Sequence, residues 1–214
     1  MKRHMLVLGL GLALGCNSVG PGVPGSGVAG GEDRTVEAFT QVEQMGSADL
    51  ELEIGAPQRV RVSADDNLVP LIETRTVEGT LRISSTKNYS TKLGVQVQVA
   101  APVIGGVTLT GAGDVKARGI SGERFAATLK GAGDMQLAGA ASELTLRVSG
   151  SGNVDASGVA AARVVVHVTG SGDVTVTASE RVEAHISGSG NVRYAGGAKD
   201  IVQDVSGSGS VAPM

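Results

Sequence analysis

His167 and His185 stand 18 residues apart, each three residues before a Gly-Ser-Gly turn, so a repeat of that length places them on neighbouring rungs. Arg147 and Asp204 hold the same place before the turns on either side. Two imidazoles and a carboxylate in one column make His167, His185 and Asp204 a candidate transition-metal site. The plainer alternative is a solvated polar ladder, with Arg147 discouraging a cation nearby. Asp114 and Asp134, 20 residues apart, each close a Gly-Ala-Gly-Asp turn and form a candidate calcium pair. Calcium-binding β-helices carry such glycine motifs about every nine residues. Here the motif comes once per coil, and half of its acid positions are neutral.

Both candidates depend on the element that would stack them. Six turns recur: Gly111-Ala-Gly113-Asp114, Gly131-Ala-Gly133-Asp134, Gly150-Ser-Gly152-Asn153, Gly170-Ser-Gly172-Asp173, Gly188-Ser-Gly190-Asn191 and Gly207-Ser-Gly209-Ser210. Their first glycines are separated by 20, 19, 20, 18 and 19 residues. That period is too short for helical repeats and matches one coil of a β-solenoid. Two residues before the first glycine stand Leu109, Leu129, Val148, Val168, Ile186 and Val205, and four after it Val115, Met135, Val154, Val174, Val192 and Val211. These are inward ladders. Thr110, Lys130, Ser149, Thr169, Ser187 and Ser206 alternate with them and face water. A second set of small residues, Gly119, Gly139, Gly158, Ala178 and Gly196, marks another corner. The glycines are read as structural, supplying positive φ where a Cβ clashes. Along the fourth turn position, alternating Asp and Asn lets amide donors meet carboxylate acceptors.

The amino terminus sets the compartment. Lys2, Arg3 and His4 precede an apolar run from Met5 to Leu14, and Ala13-Leu14-Gly15-Cys16 resembles a bacterial lipobox. Residues 1–15 are therefore expected to be a processed lipoprotein signal, with Cys16 acylated and joined to a membrane. Cys16 is the only cysteine, so no internal disulfide forms. Asn17 follows it where Asp would favour retention at the inner membrane, which points to the outer one. Residues 16–34 are rich in Gly, Pro and Ser and read as a flexible tether. Folding is expected from Thr35, with irregular capping coils over 35–107 and regular coils over 108–214. At the other end Pro213 alone blunts the last rung, which suggests strand pairing with a partner or end-to-end self-association.

Val36-Glu-Ala-Phe39, Ala48-Asp-Leu-Glu-Leu-Glu-Ile54, Ala64-Asp-Asp-Asn-Leu-Val-Pro-Leu-Ile72, Glu78-Gly-Thr-Leu-Arg-Ile83 and the Gly-Ser-Gly rungs together resemble the putative autotransporter adhesin head GIN domain family over residues 35 to 214. Ser210 departs from the pattern, where Asp or Asn is expected. The resemblance implies an all-β, right-handed parallel β-helix or solenoid, common in exported bacterial lipoproteins, and an adhesin-like role. It carries no catalytic residues.

Composition narrows the function further. There is no Trp, and Phe125 and Tyr194 fall on inward ladders, so a sugar-stacking platform is poorly supplied. With no long insertion between rungs and two histidines beyond the signal, acid–base catalysis is not expected, nor is a cofactor. A net charge of −3, or −5 without Lys2 and Arg3, offers no footprint for nucleic acid. Two readings remain: a non-enzymatic envelope module presenting a rigid rod to a polysaccharide or protein ligand, and a periplasm-facing scaffold that pairs through its last rung.

Overall fold

Strands form where aliphatic and β-branched residues alternate with polar ones, and glycine turns cut them at near-equal intervals. The structure, a computed structural model, describes residues 22–214. The signal segment 1–15, Cys16 and the first part of the expected tether lie outside the described residues.

The first strands are β1 (Val23–Pro24), β2 (Ala29–Arg34), β3 (Gln41–Gly46) and β4 (Asp49–Ile54). Next come β5 (Arg59–Asp65), β6 (Ile72–Val77), β7 (Thr80–Ser85), β8 (Tyr89–Ser90) and β9 (Gln96–Ala101), with a 3-10 turn at Val69–Leu71. The coils follow as β10 (Gly106–Gly111), β11 (Val115–Ile120), β12 (Arg124–Gly131), β13 (Met135–Gly150) and β14 (Val154–Gly170). They end with β15 (Val174–Gly188), β16 (Asn191–Ala195), β17 (Asp200–Gly207) and β18 (Ser210–Pro213).

The chain is an all-β solenoid whose coils pair in parallel. Gly111, Gly131, Gly150, Gly170, Gly188 and Gly207 are successive register partners, which makes five coils. Each coil is a strand, the Gly-x-Gly turn, a second strand and a looser corner. β13, β14 and β15 run through that corner, so one half of each lies in one stack of strands and the other half in the next. Alternation then fills the interior: Leu109, Leu129, Val148, Val168 and Ile186 are buried, as are Val115, Met135, Val154, Val174 and Val192. The last rung opens. β17 pairs only with β15 and β18 only with β16 among the described residues, so Val205 is 38% exposed.

Rung lengths vary while the turn stays in register, and the second corner absorbs the difference. Register shifts fall between Ala117 and Ile120, Gln136 and Ala138, and Ala156 and Ala161. Bulges there accept an extra residue without disturbing the ladder at the turn. Positive φ occurs at Gly119, Gly139 and Gly196 but not at Gly158 or Ala178, so this corner is less uniform than expected.

Two boundaries need correction. The segment 35–107 is not a run of irregular coils: β3 and β4 form a regular rung, with Gly46 paired to Gly111 and Leu50 to Val115. The remaining strands cover that rung. β7 pairs in parallel with β3 and then antiparallel with β6, while β9 pairs in parallel with β4 and antiparallel with β5. Reversing strand direction ends the parallel stack and closes the core. Nor is 22–34 a tether, because β2 pairs antiparallel with β5 from Ala29↔Asp65 to Arg34↔Val60, and β1 pairs with β8. Its glycines serve close approach: a Cβ on Gly25 would lie 2.6 Å from Asp65 Cγ, and one on Gly30 would lie 2.6 Å from Asp66 Cα. Composition alone does not separate that use from flexibility.

Candidate functional site

Outward positions on the strands before the turn bring together the residues singled out for metal binding. Arg147 pairs with His167, His167 with His185 and His185 with Asp204, the column expected from spacing. The two rings stack with centroids 5.0 Å apart and planes 10° from parallel. Stacked rings direct their nitrogens side by side instead of at a common point. His185 Nε2 lies 3.0 Å from Glu183 Oε1, and its Nδ1 lies 3.8 Å from Asp204 Oδ2. Glu183 also accepts from Arg181 Nη2 at 3.0 Å, and Arg181 Nη1 donates to Asp200 Oδ2 at 2.6 Å. The column is therefore a charged network. Among the described residues no three His, Cys, Asp or Glu are grouped to hold a metal ion.

Burial first, then the charges of His185 and Arg147, hold the His167 pKa below its ordinary 6.5. The unfolded chain then binds more protons than the folded one as pH falls below 6.5, so this pair removes stability on the acid side and contributes nothing above. His167→Thr is expected to flatten the fall in melting temperature between about pH 7 and 5, measured by thermal unfolding across that range; an unchanged slope would exclude the mechanism.

At the turn itself the carboxylates are committed to the backbone. Asp114 Oδ1 accepts the Asp134 N–H at 3.0 Å, Asp134 Oδ1 that of Asn153 at 2.8 Å, Asn153 Oδ1 that of Asp173 at 3.0 Å and Asp173 Oδ1 that of Asn191 at 2.9 Å. The amides add the donors expected of them: Asn153 Nδ2 reaches Asp134 Oδ1 at 3.1 Å and Asn191 Nδ2 reaches Asp173 Oδ1 at 2.9 Å. Ser210 keeps the link by donating its hydroxyl to Asn191 Oδ1 at 2.7 Å. The ladder extends one rung further than the repeat suggested. Asp49 Oδ1 accepts the Asp114 N–H at 3.0 Å, and its signal in the sequence is Gly46-Ser-Ala-Asp49, where Ala48 replaces the second glycine. Asp114 and Asp134 thus act as rung-to-rung staples, with an oxygen of each already occupied.

A third place was not foreseen. Glu51, Glu53, Arg59, Gln98, Lys116 and Arg118 line a hollow of about 370 Å³ where the cap meets the first coil. Its residues come from β4, β5, β9 and β11, which are adjacent only because β4 stacks between β9 and β11. Gln98 Nε2 donates to Glu51 Oε2 at 3.4 Å, and Arg59 is held by Asp33 at 3.1 Å. Among the described residues Lys116 and Arg118 form no ion pair. The hollow therefore offers cationic donors beside carboxylate acceptors, a combination suited to hydroxyl-rich or mixed-charge ligands.

A family model described as "Putative auto-transporter adhesin, head GIN domain" matches residues 38–198. No curated protein matches the chain. Among solved structures, one described as a putative adhesin from Bacteroides fragilis is 21% identical with a TM-score of 0.74, covering 90% of this chain and 100% of its own. A putative adhesin from Parabacteroides merdae is 19% identical with a TM-score of 0.54, covering 90% of this chain and 98% of its own. A protein from Parabacteroides distasonis, described as a putative lipid binding protein, is 19% identical with a TM-score of 0.53, covering 90% and 99%. At these identities the likeness is one of fold.

Proposed function

This chain belongs to the family of the putative auto-transporter adhesin head GIN domain, and from that premise we propose that it is a non-enzymatic binding module of the bacterial envelope. It is exported as a lipoprotein, acylated at Cys16 and held at the outer membrane, where it presents its solenoid to a polysaccharide or protein ligand. The observation that carries this reading is the in-register display of outward side chains. Thr110, Lys130, Ser149, Thr169, Ser187 and Ser206 are all exposed in one column, spaced by the strand separation of about 4.8 Å. Individually weak contacts to a repeating partner add along such a column because each follows at high effective concentration. Protease and antibody accessibility on intact cells, with Cys16→Ala as control, tests the reading. Shaving of the domain from living cells is expected, and protection until the envelope is broken would end the adhesin role.

The exposed last rung favours a second reading, a periplasm-facing scaffold that adds a strand at β17 and β18. Val202 and Val205 are 37% and 38% exposed there. Under this reading Val205→Lys, which sets a charge on the apolar edge, converts an associated protein to monomer in sedimentation. A monomer before and after the change would dismiss end pairing.

A further inference from the structure

We propose that the capped end of the solenoid, at Val28, Lys87, Lys92 and Leu93, is the face that rests on the lipid surface, so that the coils from Gly111 to Gly207 stand away from it. The inference rests on acylation at Cys16 and adds to it the orientation of the body.

The chain is bound to the cap almost from its first described residue. Val23 N–H donates to Asn88 O at 2.8 Å and Gly25 N–H to Ser90 O at 2.7 Å. Asn67 Nδ2 donates to Pro24 O at 2.8 Å, and Asn67 Oδ1 accepts the Ser26 N–H at 2.9 Å. Ser26 Oγ donates to Asp66, and Gly27 N–H donates to buried Asp65 at 2.6 Å. Cys16 thus precedes the pinned chain at Gly22 by six residues, which span at most about 20 Å. A tether running to residue 34 would reach about 60 Å and leave the body free to turn. With the shorter reach, the lipid face is the one that carries Gly22.

That face has the composition of a membrane-resting surface. Val28 is 59% exposed and Leu93 52%, both within the segments that hold the chain start. Lys92 Nζ reaches Ser26 O at 3.3 Å, and exposed Lys87 adjoins Asn88, the acceptor of Val23. Apolar side chains flanked by lysines seat at the boundary between headgroups and acyl chains, aided by anionic lipid. Of the exposed acids near this corner, Asp66 is engaged by Ser26 and Asp49 by the Asp114 N–H.

The test uses the full-length acylated protein in vesicles of phosphatidylcholine and phosphatidylglycerol. A fluorophore is attached at Leu93→Cys or at Ser206→Cys, Cys16 being blocked by its lipid, and quenching by brominated lipid is measured. Quenching at position 93 several-fold stronger than at 206 is expected, and Leu93→Asp with Lys92→Glu should abolish contact of a fluorophore at Val28→Cys. Equal or reversed quenching in protein that floats with the vesicles overturns the orientation alone. Failure of the protein to float, with Cys16→Ala unchanged from it, overturns acylation and the orientation together.

Discussion

Gly172→Ala is expected to unfold the protein or lower its melting temperature by about 10 °C or more, although it adds one methyl group. A Cβ at Gly172 would lie 2.1 Å from Gly152 O and 2.9 Å from Val148 Cγ1. Backbone stands in the way, and the rung below is held by its own contacts: a Cβ on Gly152 would lie 1.9 Å from Gly133 O. The strain cannot pass to a flexible side chain. Relief requires the rungs to part, which breaks parallel hydrogen bonds on both sides of the turn. A cost above about 4 kcal/mol follows, in the range reserved for disrupted cores and backbone clashes. Gly122→Ala supplies the comparison, since Gly122 has φ 130° but open space around its Cβ position. It should cost only the strain of that conformation, about 1–3 kcal/mol. Thermal unfolding of the two variants separates steric closure from backbone conformation. Equal losses would mean that the rungs do not pack at the separation described.

Asp65→Ala is expected to be the second most damaging change, and its effect should be local before it is global. Asp65 is fully buried and accepts from Gly27 N at 2.6 Å, Thr91 Oγ1 at 2.6 Å, Lys92 N at 3.1 Å and Leu93 N at 3.3 Å. The Thr91 hydroxyl foremost, with these amides, holds its pKa down at about 2 against the desolvation that raises it. Removing the carboxylate strands several donors in a part-buried corner at once, the costly side of hydrogen-bond asymmetry. Amide exchange should accelerate first over 22–34 and 89–94, the two segments that Asp65 joins. A depressed folded pKa means that the stabilisation is complete above the unfolded value of 3.8 and is lost as pH falls toward 2. Asp65→Asn should flatten the acid-unfolding curve in that window while disturbing neutral stability less than Ala. A variant with unaltered exchange in both segments would show that the amino-terminal strand is held by other means.

How far the fold was legible depends on whether a residue repeats. Gly111 to Ser210 carry a period, and a period implies stacking, so the inward ladders, the His167–His185 neighbours and the Asp–Asn exchange at the turn follow from counting. The repeat rung of β3 and β4 was hidden because 65 residues separate Gly46 from Gly111 and Ala48 interrupts its glycine motif. The hollow at Glu51, Arg59 and Lys116 was hidden for the same cause, since nothing local announces that β4 lies between β9 and β11. At His167 and His185 position followed from spacing, but the stacking of the two rings 5.0 Å apart did not, because spacing does not specify ring orientation.

By itself the sequence determined the coil length, the alternation of buried and wet positions, and the positive-φ glycine that opens each turn. These are local or periodic, set by sterics and burial that each rung repeats. Tertiary structure alone decided where the stack is closed, that residues 22–34 are pinned instead of free, and that Asp65 is a buried latch instead of a surface acid. Those outcomes arise from contacts between segments far apart in the chain, where a glycine that permits close approach and a glycine that permits flexibility are the same letter.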